Sequence, residues 1–301
     1  MNVIVFGGSG FVGSHVADAL SEAGHEVTVA DLVESPYLRP DQIFVRCDIT
    51  ESEQVLEAIS GNEVVYDFAG LADIHECRER PLQTATVNVV GTVSLLEGAR
   101  AAKAARFVFA SSIYVAGNSG SFYRVSKQAS ELYIREYQRE YGLVYTILRF
   151  GTLYGRRAGE GNSVHRYLEQ ALVDRRILAQ GTGEELREYI HVADAAQLCV
   201  RILDSEFENE EVVLTGHHPL RFRELLALIA EIVGGDVQVD VVDSSDGREG
   251  SEFYEGHYAI TPYAFRPKLT RKLVSNSYVD LGQGLIDVLH EIDEQRADQA
   301  S

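Results

Sequence analysis

Short apolar runs alternate with longer amphipathic stretches through the first half of the chain. The apolar runs predict β-strands at residues 3–6, 27–30, 43–47, 64–68, 107–110 and 144–149. Stretches with a helical period predict helices at residues 11–23, 84–102 and 125–141. Parallel strands need crossover connections, which helices usually supply. The pattern therefore predicts an α/β fold, a doubly wound parallel sheet that binds its ligands at the carboxyl ends of the strands.

The pattern changes after Gly155. Helices are predicted at residues 164–173, 191–203, 222–233 and 278–294, with a strand at 212–214 and an exposed acidic loop at 240–256. We therefore expect residues 1–155 to form the main domain, with a returning segment near 188–215. Residues 156–301 are expected to form mainly a smaller C-terminal α/β lobe that binds the substrate.

The excess of acidic over basic residues limits the kinds of molecule that the protein is expected to bind. The chain has 301 residues, and 27 Lys and Arg against 46 Asp and Glu give a formal net charge of −19. A surface this acidic repels phosphate backbones and anionic lipid, so we expect neither nucleic acid nor a membrane as the main partner. A small anionic ligand remains possible because it needs only a local cluster of donors.

The cysteines and the N-terminal residues indicate in which cellular compartment the protein works. The three cysteines, Cys47, Cys77 and Cys199, show neither metal-ligand spacing nor a disulfide framework. No apolar run approaches the roughly 20 residues that span a bilayer, and MNVIVFGG is expected to be a first strand, not a signal peptide. The pair His217 and His218 has no obvious third ligand. We expect a cytoplasmic protein without a bound metal.

A glycine-rich turn joins the first predicted strand to the first helix. Gly7, Gly10 and Gly13 permit a tight turn, close approach of a pyrophosphate and close helix packing. The helix N-terminus adds free N–H donors. Asp31 closes the second strand, where a carboxylate can accept both ribose hydroxyls of NAD and would repel the extra phosphate of NADP. The sequence therefore predicts a Rossmann domain that binds NAD, with ordinary turns as the alternative.

Two further turns follow strands at the same predicted edge. Asp48 and Ile49 follow the third strand and are expected to hold the adenine. Phe68, Ala69 and Gly70 form a small-residue turn after the fourth strand, which would let the dinucleotide backbone lie close. A plain turn at Gly70 is the alternative.

Tyr123 and Lys127 are four residues apart, so a helix places them on one face, one turn from each other. A tyrosine with its ordinary pKa of about 10 is a poor base, but a nearby cation favours its phenolate. The phenolate can remove a proton from a hydroxyl while a hydride leaves the adjacent carbon. Lys127 can also hold the nicotinamide ribose, and Ser112, at a strand end, can donate to the reacting oxygen. A solvated helix face is the alternative.

Together the motifs resemble the extended short-chain dehydrogenase/reductase family, and within it the NAD-dependent nucleotide-sugar epimerase/dehydratase group, in a form similar to the UDP-glucose 4-epimerases. The resemblance runs in order through GGSGFVG (7–13), Asp31, CDI (47–49), DFAG (67–70), NVVGT (88–92), FVFASS (107–112), YRVSK (123–127), LRFGTLYG (148–155) and REYIHVAD (187–194). It implies Ser112, Tyr123 and Lys127 as the catalytic set. It also implies NAD contacts from Gly7, Gly10, Phe11, Val12, Asp31, Asp48, Ile49, Phe68, Ala69, Gly70, Asn88, Tyr123 and Lys127.

The resemblance also bears on the reaction. Dehydratases of this family carry an acid pair directly after the active-site hydroxyl residue, whereas Ile113 and Tyr114 follow Ser112 here. We therefore expect 4-epimerisation through a transient 4-keto sugar, with Tyr123 as the base and NAD as a tightly held hydride carrier. Such an enzyme would supply precursors of surface polysaccharides or other glycans. A nucleotide-sugar 4-reductase or dehydrogenase, and a non-catalytic NAD-binding protein, are the alternatives.

On the substrate side, the resemblance implies that Arg187 binds the nucleotide diphosphate and that Ser112 and Thr152 contact the sugar. The alternative for Arg187 is a surface ion pair with Glu184 or Glu188. Thr152 stands where related epimerases usually carry asparagine, and the connection from Ser112 to Tyr123 is shorter than usual, so we expect a more open sugar pocket. Asp194 is a candidate helix cap.

The resemblance extends to assembly. The predicted helices at 84–102 and 125–141 resemble those that pair into a four-helix dimer interface in this family. We therefore expect a homodimer. The alternative is that the apolar faces of these helices serve only the core of one chain.

Overall fold

A computed structural model describes residues 1–234, 236–242, 261 and 271–299 of the chain. In chain order, the strands are β1 (Asn2–Phe6), β2 (Glu26–Asp31), β3 (Gln42–Arg46), β4 (Val64–Asp67), β5 (Arg106–Ser112), β6 (Tyr145–Phe150), β7 (Thr152–Tyr154), β8 (Arg176–Gln180), β9 (Leu186–His191), β10 (Glu210–Leu214), β11 (Pro219–Arg221), β12 (Gln238–Val242) and β13 (Arg271–Leu273). The α-helices are α1 (Phe11–Glu22), α2 (Ser52–Ile59), α3 (Ile74–Glu79), α4 (Pro81–Ala85), α5 (Thr92–Ala102), α6 (Ser121–Tyr141), α7 (Ser163–Val173), α8 (Val192–Arg201), α9 (Phe222–Val233) and α10 (Leu281–Gln299).

An eight-stranded parallel sheet forms the centre, in the order β13-β10-β6-β5-β4-β1-β2-β3. Its inner strands are continuous apolar runs, as in β1, because helices cover both faces of the sheet. The strand order reverses between β1 and β4, and a crevice opens beyond their carboxyl ends. The predicted doubly wound α/β fold is confirmed.

Helices cover the two faces of this sheet in separate layers. On one face α1 packs against α8, and on the other α2 and α6 pack against α5. A buried hydrogen bond ties the sheet to the first layer, because the Tyr66 hydroxyl in β4 donates to the carbonyl oxygen of Cys199 in α8 at 2.6 Å. Cys47, Cys77 and Cys199 are free and buried. None of the described helices combines the length and apolar composition of a membrane-spanning segment.

Residues 84–102 are helical as predicted, but they do not form a single regular α-helix. The chain instead runs from α4, which begins with Pro81 in its first turn, through a π-helix at Thr86–Gly91 into α5. The Ser130 hydroxyl on α6 donates to the carbonyl oxygen of Asn88 at 2.8 Å, which offers that carbonyl a partner outside the regular helix. Widened turns of this kind are common at functional sites.

The smaller lobe contains two short sheets, ordered β11-β9-β7 and β12-β8. Helices α7, α9 and α10 surround its core. The sequence did not reveal β8, which is short and buries only alternate residues. The predicted loop at 240–256 is wrong at residues 240–242, which end β12, and its remainder lies outside the described residues. The last helix begins at Leu281, three residues later than predicted.

A buried ion-pair network fastens α6 to the sheet. Arg149 in β6 donates to both carboxylate oxygens of Glu131 on α6, at 2.9 and 2.7 Å, and to Glu211 in β10 at 2.6 Å. Arg135 joins Glu131 and Glu211 from the helix side. The Ser111 hydroxyl, at the end of β5, also donates to Glu131 at 2.7 Å. The network thus fixes α6 relative to the strand end that carries Ser112.

We expect Arg149→Met to lower the free energy of unfolding by about 3–5 kcal/mol, because it leaves the buried Glu131 and the part-buried Glu211 with only the more exposed Arg135 as their cation. Urea denaturation measures this change. Arg139→Met is the matched control, since Arg139 pairs with Glu140 while 68% of its side chain is exposed, and should cost less than about 1 kcal/mol. Equal losses in the two variants would contradict a stabilising role for the network.

Candidate active site

The turn after β1 lies against the turn after β4. Gly7 has φ of +73°, and a Cβ added there would lie 2.5 Å from the carbonyl carbon of Phe68, so only glycine fits. A Cβ on Gly13 would lie 2.2 Å from the Gly7 carbonyl oxygen. Around Gly10, which caps α1, only that oxygen lies within 4 Å of a Cβ position. The start of α1 is therefore open, and Phe11 and Val12 form its first turn; this cradle fits the pyrophosphate of NAD.

Asp31 lies at the rim of this cradle. Its Oδ2 accepts a hydrogen bond from the Ser9 amide at 3.0 Å, and its Oδ1 accepts one from the Leu32 amide at 2.7 Å. The carboxylate therefore shapes the glycine turn. Its position at the end of β2, beside the turn, also suits the ribose hydroxyls of a bound dinucleotide.

Asp48 and Ile49 lie beyond β3 and contact the protein itself. Asp48 Oδ1 accepts from the Thr50 amide and the Thr50 hydroxyl, at 2.9 and 2.7 Å. Ile49 is buried, and its side chain fills the space beside Gly91. The adenine contacts of these two residues stay predictions.

The turn formed by Phe68, Ala69 and Gly70 is held from behind by Asn88. Asn88 Oδ1 accepts from the Leu71 amide at 2.8 Å, and its Nδ2 donates to the Leu71 carbonyl at 2.9 Å. The same Nδ2 lies 3.0 Å from Ser126 Oγ. The side chain of Asn88 thus supports the turn, and its predicted contact with NAD stays a prediction.

Ser112, Tyr123 and Lys127 meet at the carboxyl end of β5. Helix α6 begins at Ser121, four residues earlier than predicted, which places Tyr123 in its first turn. The Tyr123 hydroxyl is hydrogen-bonded to the Ser112 side chain. Lys127 Nζ lies 5.9 Å from the centroid of the Tyr123 ring and 4.7 Å from that of Phe109. The structure therefore brings the three predicted catalytic residues together.

The electrostatics of this set differ from the prediction. Burial raises the pKa of Tyr123 to about 12, against the opposing effect of its hydrogen bond to Ser112. Burial also lowers the pKa of Lys127, which Asp67 partly offsets. In the chain alone the phenol is therefore not acidic, because loss of solvation dominates its pKa, and the effect of the neighbouring ammonium on it stays a prediction.

Asp67 is the residue at this site that sequence reasoning missed. It ends β4 and is 0% exposed, and its Oδ2 lies 2.9 Å from the Thr92 hydroxyl. Burial raises the pKa of Asp67 to about 6, while the charge of Lys127 and the Thr92 hydroxyl act against that rise. A carboxylate that closes an apolar strand in mid-sheet was the signal in the sequence.

The predicted substrate residues lie on the β11-β9-β7 sheet. Arg187 in β9 is 6% exposed, and its guanidinium lies 5.0 Å from the centroid of the Phe222 ring. Arg187 is therefore buried and does not lie at the surface, and Glu188 pairs with Lys272 at 2.8 Å. Thr152 in β7 is paired with Tyr189 of β9, so Thr152 and Arg187 belong to one small sheet.

Other polar residues of this region serve the fold. His191, and not Asp194, caps α8, since its Nδ1 accepts from the Ala193 amide at 3.3 Å; burial lowers the pKa of His191 to about 4. Asp194 instead accepts from the Val279 amide with both oxygens, at 3.2 and 3.1 Å. Within the ranges that the structure describes, no three His, Cys, Asp or Glu side chains are grouped to hold a metal ion.

Comparison with known proteins shows the family of this chain. Residues 3–216 match the sequence model of the NAD dependent epimerase/dehydratase family. A putative UDP-glucose 4-epimerase of Methanocaldococcus jannaschii is 30% identical over 77% of this chain and 82% of its own. A UDP-N-acetyl-alpha-D-glucosaminuronate decarboxylase of Bacillus cytotoxicus is 26% identical over 69% and 72%. The structure of Thermus thermophilus UDP-glucose 4-epimerase with NAD superposes with a TM-score of 0.80 at 26% identity, covering 97% of this chain and 99% of that one.

We expect Asp31→Asn to weaken NAD binding about tenfold and to reduce the preference for NAD over NADP. The amide keeps the shape of the side chain but loses the charge that accepts ribose hydroxyls and repels a 2′-phosphate. Isothermal titration with both dinucleotides measures the two affinities. Asp41→Asn, an exposed carboxylate paired with Arg39, is the control. An unchanged NAD to NADP ratio in Asp31→Asn would exclude Asp31 from cofactor selection.

Proposed function

Because this chain belongs to the NAD-dependent epimerase/dehydratase family, we propose that it is a nucleotide-sugar 4-epimerase. The observation that carries the proposal is the meeting of Ser112, Tyr123 and Lys127 beside the cofactor turn. The residues proposed to hold NAD are Gly7, Gly10, Phe11, Val12, Asp31, Asp48, Ile49, Phe68, Ala69 and Gly70, with Asn88 supporting the turn. When bound, NAD would supply a hydride acceptor and the positive charge of its oxidised nicotinamide ring.

In the proposed reaction, Tyr123 takes the proton from the O4 hydroxyl of the sugar as C4 loses its hydride. Ser112 donates to the same oxygen and holds it within reach of the phenol. Lys127 contributes the positive charge that favours the phenolate and binds the nicotinamide ribose. Tyr123 would return the proton to O4, and with a hydride returned by the bound dinucleotide to the other face of the 4-keto sugar, C4 would be inverted without net oxidation.

The residues that follow Ser112 favour epimerisation over elimination of water. Ile113 is fully buried and apolar, and the ring of Tyr114 packs edge-on against Tyr123 with centroids 6.3 Å apart. Neither side chain can act as the carboxylic acid and base pair that the loss of water from C5 and C6 needs. A 4-reductase or dehydrogenase with exchanging cofactor uses the same catalytic set and is the second candidate.

We propose a nucleoside diphosphate sugar as the substrate, in line with the UDP-sugar enzymes among the relatives. Arg187 is proposed to bind the diphosphate and Thr152 the sugar. Residues 1–155, with the returning segment 188–215, would bind NAD, and residues 156–301 mainly the substrate. In this proposal the enzyme works in the cytoplasm and supplies precursors for surface polysaccharides.

We expect the protein to convert one member of a panel of UDP-, GDP-, CDP- and dTDP-sugars to its C4 epimer without added cofactor, as followed by NMR. Tyr123→Phe should lower the turnover at least about 100-fold, because the variant lacks the proton acceptor. Tyr133→Phe, on the exposed face of α6, is the control and should keep the activity. A product that has lost water, or release of NADH during turnover, would contradict the epimerase proposal.

We further propose a homodimer built on α6 and the neighbouring π-helix. Phe122, Val125 and Leu132 of α6 and Val90 of the π-helix are large apolar side chains that remain at least 46% exposed in the single chain. Val125 and Leu132 are seven residues apart and therefore share one face of the helix. A second copy would cover this surface.

We expect Leu132→Glu to convert a dimer at micromolar concentration into a monomer, because it places a charge in the apolar interface. Light scattering coupled to size exclusion gives the mass of each species. Leu56→Glu, an exposed apolar position on α2, serves as the control and should leave the mass unchanged. A monomeric mass for the unaltered protein would refute the dimer.

A further inference from the structure

The catalytic end contains a buried acid to which the proposed reaction gives no role. Asp67 is 0% exposed, and its Oδ2 lies 2.9 Å from the hydroxyl of Thr92 on α5. Its other oxygen, Oδ1, is buried without a hydrogen-bond partner among the described residues. A carboxylate that is ionised in such a place needs a nearby cation, because it has lost its water and only the Thr92 hydroxyl and the Ala69 amide donate to it.

The nearest candidate cation is Lys127. Strand pairing places Asp67 directly beside Phe109 of β5, and Lys127 Nζ lies 4.7 Å from the centre of the Phe109 ring. Nζ also lies 3.9 Å from the position that a Cβ on Gly70 would take, and Gly70 is three residues beyond Asp67. The ammonium and the carboxylate therefore lie over the same two strands, and each affects the charge of the other.

The other ionisable groups that face Lys127 are poor counter-ions. Glu131, one turn further along α6, is already bound by Arg149 and Arg135. Burial raises the pKa values of the Cys77 thiol on α3 and of the Tyr123 phenol, so both are neutral near pH 7. Asp67 is the group that offsets the effect of burial on Lys127 most strongly.

We propose that Asp67 is the counter-ion of Lys127 and a positioning residue of the active site. Its ionised carboxylate keeps Lys127 charged and held over Phe109, one turn from Tyr123, and its protonation releases that hold. The acid limb of the pH profile of kcat/KM then reflects the protonation of Asp67 as well as that of the catalytic residues. This inference rests on the proposed function only for the catalytic roles of Tyr123 and Lys127.

A double-mutant cycle tests the pair without any measurement of activity. Unfolding equilibrium constants are measured in urea for the unaltered protein, Asp67→Asn, Lys127→Met and the double variant, at pH 8 and pH 5. We expect the constants at pH 8 to depart from additivity about tenfold, as expected for groups that interact directly. At pH 5 the departure should disappear, because Asp67 is then protonated in the folded protein. Additive effects at pH 8 would overturn the proposal, whatever the substrate proves to be.

The pH profile of kcat/KM tests the positioning role once a substrate is known. Asp67→Asn should lower kcat/KM at neutral pH and remove the acid limb. Thr92→Val removes the donor to the ionised carboxylate, so its acid limb should move to higher pH by about half a unit. Asp41→Asn, which changes the charge equally on the exposed surface, should keep the original limb.

Thr92→Val is nearly isosteric and keeps every charge, so it carries the test even where Asp67→Asn does not fold. An acid limb that stays in place in Thr92→Val would overturn the positioning role. Absence of epimerase activity in the unaltered protein would refute the proposed function alone, since the coupling of Asp67 and Lys127 is measured independently by unfolding.

Discussion

The contact between the turn after β1 and the turn after β4 is the constraint on which the site depends. A side chain at Gly7 would strike the backbone of Phe68, so the two turns approach as closely as backbone permits. The two turns therefore form the floor of the crevice, which lies where the strand order of the sheet reverses between β1 and β4. Asn88 then holds the second turn through both backbone groups of Leu71, and the π-helix brings Asn88 to that position. Disruption of this contact would move the cofactor turn and the residues behind it together.

Burial, more than pairwise attraction, sets the charges of the catalytic end. The phenol of Tyr123 and the ammonium of Lys127 both lose solvation, so the pKa of the first rises and that of the second falls. In the chain without a cofactor, the Tyr123 phenol therefore stays protonated near neutral pH and cannot yet accept a proton. In the proposed reaction, the positive charge of an oxidised nicotinamide ring would add to that of Lys127 and favour the phenolate, so proton transfer would depend on the bound cofactor.

The rest of the molecule keeps this geometry rigid. The network around Arg149 fixes α6 to β6 and β10, and Ser111 connects it to the strand end that carries Ser112. The smaller lobe adds Arg187 and Thr152 from one short sheet. The candidate residues thus come from separate parts of the chain: β5 and α6 carry the proposed catalytic set, while the short sheet carries the candidates for substrate recognition.

The sequence alone determined the sheet, the glycine cradle and the shared helix face of Tyr123 and Lys127, because each depends on local periodicity or on residues a few positions apart. It also located Asp31 at a strand end. Only the tertiary structure decided that 84–102 contains a π-helix, that Asn88 faces Leu71, and that Asp67 lies beside Phe109 under Lys127. These features depend on the register of strands and helices distant in sequence. The pKa values followed the same rule, since the loss of solvation is a property of the packed molecule.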